Sequence, residues 1–141
     1  MKAIQIKKTG GPEVLQLVEI AAPKPKSNEA VVKISACGVN FIDIYQREGR
    51  YAVELPFIAG QEAAGVVAEI GSEVKQVKPG DHVAYVGVLG GYAEYAAVPA
   101  ERLVHIPNGL DARQAAAAMA TRRPDVIRIA SQGTCKSAHR Q

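Results

Sequence analysis

The chain has 141 residues, of which 48% are hydrophobic and 22% charged, a composition typical of one globular domain. No apolar run approaches the roughly 20 residues that a membrane-spanning helix needs, and the two cysteines provide neither a disulfide framework nor a metal quartet, so we expect a cytoplasmic protein. The net charge of +3 arises in residues 120–141, which carry five basic residues and one acidic residue, so the remainder of the chain is not predicted to bind nucleic acid.

Short strands separated by glycine and proline turns dominate the pattern. Lys78-Pro79-Gly80-Asp81 predicts a type II turn, and residues 49–59 are interpreted as a loop. Helices are predicted at 41–48, from apolar spacing, and at 111–119, where Asp111 and Gln114 form a capping-box pattern. Strands are predicted at residues 2–7, 14–20, 30–36, 65–70, 82–86, 92–98 and 102–107. Such an order indicates a β-barrel or β-sandwich.

Two polar residues, Gln61 and Glu62, lie between glycines just before the apolar run that begins at Val66. Taken alone they are interpreted as loop residues that satisfy backbone groups. The polar side chains of helix 41–48, together with Tyr51, are interpreted as a solvated face. The residues themselves therefore predict a polar cleft near positions 40–62 but no particular reaction.

Several kinds of catalytic or cofactor site find no support in the sequence. The three histidines, His82, His105 and His139, are scattered without the spacing of zinc ligands. The motifs G-x-S-x-G and G-x-G-x-x-G do not occur, so neither a hydrolytic serine nor a phosphate-binding loop is predicted. The glycines of 87–91 lead into a strand and are interpreted as a hairpin loop.

Five motifs follow one another along the chain: G-G-P-E-V-L-Q (10–16), A-C-G-V-N-F-I-D (36–43), L-P-F-I-A-G-Q-E-A-A-G-V-V (55–67), V-K-P-G-D-H-V-A (77–84) and G-G-Y-A-E-Y (90–95). In this order they resemble the zinc-independent quinone oxidoreductase (zeta-crystallin-like) branch of the medium-chain dehydrogenase/reductase superfamily. This resemblance extends over residues 1–119 and implies a mainly β, GroES-like catalytic domain, a partly open β-barrel with a few short helices.

The resemblance also implies a site without a metal. Zinc-dependent relatives place a histidine ligand where this chain has Gln61 and a cysteine ligand where it has Asn40, and amides are poor zinc ligands. The implied reaction is reduction of a small-molecule quinone by NADPH, with neutral side chains as hydrogen-bond donors. The residues implied for catalysis are Tyr45, Tyr51 and Gln61, and those implied for cofactor binding are Asn40, Phe41, Asp43 and Tyr45.

The chain departs from the family after Met119, where a Rossmann domain that binds NADPH is expected. Residues 111–119 would begin the linking helix, and residues 120–141 are interpreted as an aberrant basic tail, disordered or out of frame. We therefore expect a shortened form with little or no activity, an exposed apolar surface, and not the homo-oligomer usual in the family. The alternatives are an enoyl or enone reductase of a neighbouring branch and a non-catalytic GroES-like interaction module.

Overall fold

A computed structural model describes residues 1–120 of the protein, and these form two antiparallel sheets and a few short helices. The strands are β1 (Lys2–Ile6), β2 (Gln16–Glu19), β3 (Glu29–Cys37), β4 (Phe57–Ile58), β5 (Glu62–Ile70), β6 (His82–Val86), β7 (Tyr95–Pro99) and β8 (Val104–His105). The helices are α1 (Phe41–Arg47), α2 (Ala112–Ala120) and the single 3₁₀ turns Pro12–Val14 and Ala100–Arg102. The mainly β class is therefore confirmed.

The larger sheet has five strands in the order β7-β3-β5-β6-β8, and the smaller has three in the order β2-β1-β4. The segment 92–94 joins them, because the Ile4 N–H donates to the Tyr92 carbonyl at 2.8 Å while the Ile34 N–H donates to the Glu94 carbonyl at 2.9 Å. We call segment 92–94 the seam. The sheets thus curve towards one another through the seam without forming a closed barrel in the described part of the chain.

Alternating side chains give the larger sheet two buried faces. One face carries the main core, in which Val32, Val67 and Val98 are almost fully buried β-branched side chains. Burying each valine contributes about 1.5–3 kcal/mol. On the other face Ala64 and Ala84 are small enough for α2 to pack directly on the sheet. β5 is therefore covered on both faces.

Locally encoded elements agree with the sequence expectations. The Asp81 N–H donates to the Lys78 carbonyl at 3.1 Å and Gly80 has φ +93°, as a type II turn requires. At α2 the Gln114 N–H donates to Asp111 Oδ1 at 2.8 Å and the Asp111 N–H donates to Gln114 Oε1 at 3.1 Å, so the capping box is confirmed.

Several expectations about elements and their boundaries were wrong. The strand predicted at 92–98 begins only at Tyr95, and that predicted at 102–107 spans only Val104–His105. Residues 87–91 are not a hairpin loop, because β6 and β7 are not neighbours in the sheet.

The predicted loop 49–59 contains strand β4, and β5 begins at Glu62, three residues before the predicted start at 65. Small residues with low strand propensity occupy the first half of β5, and Gly65 lies so close to the Lys33 carbonyl that a Cβ would collide with it. Close approach of β3 therefore overrides local propensity here.

Residues 120–141 are interpreted from the sequence as an aberrant tail, and residues 121–141 of this segment lie outside the described part of the chain. The domain limit at residue 119 stays a prediction. Helix α2 itself extends through Ala120. Within residues 1–120, no helix is long and apolar enough to cross a membrane.

Tyr85 in β6 is fully buried, and its hydroxyl has no hydrogen-bond partner among residues 1–120. Burial raises the pKa of Tyr85 well above its usual value. Above about pH 10 the unfolded chain loses the phenol proton while the folded chain keeps it, so stability should fall by up to ~1.4 kcal/mol per pH unit. Tyr85→Phe should reduce this slope by the contribution of one tyrosine and, because an unpartnered hydroxyl is costly, stabilise the neutral protein by about 1 kcal/mol.

Urea unfolding at neutral and alkaline pH measures both effects, with Tyr95→Phe, at a half-buried tyrosine of β7, as the matched control. A Tyr85→Phe variant that is less stable at neutral pH, or whose alkaline slope is as steep as that of the unchanged protein, would contradict the expectation.

Candidate active site

Polar side chains meet where β3 ends and β5 begins. Cys37 at the end of β3 pairs with Ala63 of β5, and the Gly38 N–H donates to the Glu62 carbonyl at 3.0 Å. The chain then turns through extended backbone at Asn40 (φ −125°, ψ 154°) and enters α1. This connection holds the first turn of α1 beside the first residue of β5.

Glu62 is a buried carboxylate, only 2% exposed. Its Oε2 accepts a hydrogen bond of 2.8 Å from Asn40 Nδ2. Gly38 makes the arrangement possible, because a Cβ at this position would collide with the Glu62 carboxylate. Glu62 therefore lies in a strand and binds the side chain of Asn40, the residue just before α1, contrary to its interpretation as a loop residue.

Asp43, one turn into α1, is the second buried carboxylate and is 8% exposed. Its Oδ2 accepts two hydrogen bonds, from the Asn40 N–H at 2.8 Å and from the Tyr92 hydroxyl at 2.7 Å. Hydrogen bonds to a carboxylate are about twice as strong as neutral ones. Asn40, Asp43, Glu62 and Tyr92 therefore form one connected set, which we call the carboxylate network.

Two titratable groups, Tyr92 in this network and Cys37 beside it, remain uncharged at neutral pH. Burial, with the nearby carboxylates of Asp43 and Glu62, raises the pKa of the Cys37 thiol. Burial and the hydrogen bond to Asp43 raise the pKa of Tyr92 well above its usual value. Cys37 is therefore a weak nucleophile, and Tyr92 acts as a hydrogen-bond donor.

The predicted tyrosines meet at the other end of α1. The chain folds back at Gly49, which has φ +79°, so that the ring of Tyr51 contacts that of Tyr45 edge to face, with centroids 5.8 Å apart. The Arg50 guanidinium lies 5.5 Å from the centroid of Tyr45. Phe41, at the start of α1, is 76% exposed. Together these side chains form a largely exposed aromatic surface.

Gln61 is half-buried between Gly60 and the start of β5, and its carbonyl accepts a 2.8 Å hydrogen bond from the Gly87 N–H. His82 and His105 are exposed strand residues. Over residues 1–120, the His, Cys, Asp and Glu side chains form no group of three or more that could hold a metal ion.

The structure brings the predicted site residues into two groups. Asn40 and Asp43 belong to the buried carboxylate network, with Gln61 adjacent in sequence to Glu62, whereas Phe41, Tyr45 and Tyr51 belong to the exposed aromatic surface. Their catalytic and cofactor-binding roles stay predictions. The sequence does not predict the hydrogen bonds that the side chains of Glu62 and Tyr92 make to the site. The one available signal is that Glu62 lies in the motif G-Q-E and Tyr92 in the motif G-G-Y-A-E-Y.

Known proteins match this chain over the same region. Residues 26–108 match the model of the alcohol dehydrogenase GroES-like domain. A quinone oxidoreductase of Pseudomonas aeruginosa is 48% identical over 120 residues, covering 84% of this chain and 37% of the relative. That of Sus scrofa is 43% identical over 121 residues, covering 83% and 37%.

A solved structure of Escherichia coli quinone oxidoreductase complexed with NADPH superposes with a TM-score of 0.82 and 42% identity, over 84% of this chain and 37% of that chain. The present chain thus spans just over a third of the length of these relatives. The expected GroES-like fold is confirmed by the superposition. The chain belongs to the alcohol dehydrogenase GroES-like domain family, the N-terminal domain of medium-chain dehydrogenases/reductases, and resembles its quinone oxidoreductases.

Proposed function

We propose that this chain provides the substrate-facing domain of an NADPH-dependent quinone oxidoreductase that works without zinc. Relatives that are 40–48% identical to it over about 120 aligned residues are named quinone oxidoreductases, and the Escherichia coli protein was solved with NADPH. The observation that carries the proposal is the Asn40–Glu62 hydrogen bond of 2.8 Å. An amide therefore lies against a carboxylate at the position where the family resemblance implies a cysteine ligand in zinc-dependent relatives.

The donors at this site suit hydrogen bonding better than metal coordination. Asn40 and Gln61 offer amides, which are weak zinc ligands beside imidazole or thiolate. The Asn40 amide nitrogen is already engaged with Glu62. A quinone is electron-poor and accepts electrons without a Lewis acid, so hydrogen bonds from neutral side chains to its oxygens suffice.

The side chains near α1 fit the nicotinamide end of NADPH. Phe41 and Tyr45 offer aromatic surface to a flat ring, and Asn40 offers amide groups at its edge. Asp43 is buried and would support this end through the Asn40 main chain. When bound, NADPH would supply the hydride.

On the quinone side, Gln61, Tyr45 and Tyr51 would orient the substrate. Each can donate a hydrogen bond to a quinone oxygen as negative charge develops on it. The edge-to-face contact between the two tyrosine rings restricts both side chains, so their hydroxyls are partly preorganised. The apolar ring surface would also exclude water from the reacting atoms.

Turnover by the full chain tests the proposal directly. In keeping with the low activity expected for this chain, we expect slow NADPH oxidation that depends on a benzoquinone, exceeds the rate without protein, and changes less than about twofold with a metal chelator. Gln61→Leu should lower kcat/KM by about tenfold or more through loss of a hydrogen-bond donor. Gln16→Leu, at an exposed residue of β2, is the matched control.

Inhibition by the chelator would refute zinc independence. Tight NADPH binding with reduction only of an enone would favour the neighbouring reductase branch, and absence of both binding and turnover would favour an interaction module.

The Asn40 side-chain amide should stabilise the fold through its hydrogen bond to the buried Glu62 carboxylate. Asn40→Asp keeps the shape but sets a second carboxylate against Glu62, and we expect a loss of about 2 kcal/mol in the free energy of unfolding at neutral pH. The close pair would raise a carboxyl pKa in the fold, so the loss should shrink as pH falls towards about 4, where both carboxyls take up protons.

Chemical denaturation of the variant and the unchanged protein at each pH gives this difference. Asn28→Asp, in an exposed turn, is the control and should cost little. An equal loss at acidic and neutral pH would show that charge repulsion is not the cause.

A further inference from the structure

Tyr92 ties the seam between the two sheets to α1. Its carbonyl accepts from the Ile4 N–H at 2.8 Å, and its N–H donates to the Ala59 carbonyl at 2.9 Å. The ring lies against Gly60, where a Cβ would collide with it. From this fixed base the hydroxyl donates to Asp43 Oδ2 at 2.7 Å.

The Tyr92 hydroxyl is important for orienting Asp43 because the second carboxylate oxygen of Asp43 makes no hydrogen bond within residues 1–120. Asp43 Oδ1 is buried and has no hydrogen-bond partner among residues 1–120, so hydrogen bonds hold this carboxylate only through Oδ2. One of its two donors there is the Asn40 N–H, and the other is Tyr92. Without the Tyr92 hydroxyl, only the hydrogen bond from the Asn40 N–H would orient the Asp43 carboxylate. Asn40 is itself held in place by that carboxylate, so the pair would lack an independent anchor.

We propose that Tyr92 is a positioning residue for the active site, which acts through Asp43 to fix Asn40 at the start of α1. This inference rests on the proposed function, since Asn40 is a residue expected to face the nicotinamide end of the cleft. Tyr92 itself needs no contact with substrate. Its hydroxyl orients Asp43, Asp43 holds the Asn40 N–H, and Asn40 in turn donates to Glu62 at 2.8 Å.

A purely structural role would depend on the ring, which packs on Gly60, and not on the hydroxyl. Tyr92→Phe separates the two because it keeps the ring and removes only the donor. Tyr95→Phe, at a half-buried tyrosine that follows the seam, is the matched control.

The first measurement is the side-chain amide signal of Asn40 in nitrogen-edited NMR spectra of the full chain. In Tyr92→Phe we expect this signal to shift and its protons to exchange with solvent about tenfold faster, since the loss of one hydrogen bond loosens the residue by that order. In Tyr95→Phe the signal should be unchanged. An unchanged signal in a folded Tyr92→Phe protein would overturn the proposal.

The second measurement is benzoquinone reduction with NADPH, resolved into kcat and KM. Misplacement of Asn40 should lower kcat by about fivefold or more while KM changes less than about twofold. An altered amide signal with unaltered kcat would reduce Tyr92 to a structural residue and overturn its positioning role.

The two measurements distinguish failure of the proposed function from failure of the positioning role of Tyr92. If the unchanged protein reduces no quinone, the proposed function is wrong, and the amide signal alone then decides whether Tyr92 places Asn40. If Tyr92→Phe does not fold, Asp43→Asn tests the same path by removing the charge from the central acceptor. The Asn40 amide signal should again shift with faster exchange, and no shift would overturn the proposal.

Discussion

A buried carboxylate must be hydrogen-bonded, and Glu62 imposes this requirement on everything around it. Leaving such a charge without partners would cost several kcal/mol, a large share of the stability of a domain of this size. The fold meets the requirement with the Asn40 amide, 2.8 Å away. Asn40 can reach it because Gly38 has no side chain to occupy the same space. The position of the N-terminus of α1 therefore follows from the hydrogen bond that Asn40 donates to Glu62.

The same requirement separates the site into a rigid part and an accessible part. Asn40, Asp43 and Glu62 are held together by hydrogen bonds in partly buried surroundings, where such bonds are stronger than in bulk water. Phe41 and Tyr51, by contrast, are exposed at 76% and 55%. Under the proposed function this division is useful, since the buried part fixes the geometry and the exposed part receives the flat reactants.

Features that depend on residues close together in the sequence could be predicted, whereas features that depend on distant residues could not. Helix α1, the type II turn at Gly80 and the capping box at Asp111 depend on residues within a few positions and were predicted from the sequence. The burial of Glu62 and the role of Tyr92 could not be, because the partners of these residues are 22 and 49 positions away in the chain. The family resemblance supplied the site residues but not the hydrogen bonds among them.

The seam has a consequence for how this protein opens. Tyr92 joins the smaller sheet through its main chain and α1 through its hydroxyl, so one residue belongs to both connections. Separating the two sheets at the seam would pull the donor from Asp43 in the same movement. Opening of the fold and loss of the site should therefore form one cooperative unit, with hydrogen-exchange protection of the seam amides matching that of the first turn of α1.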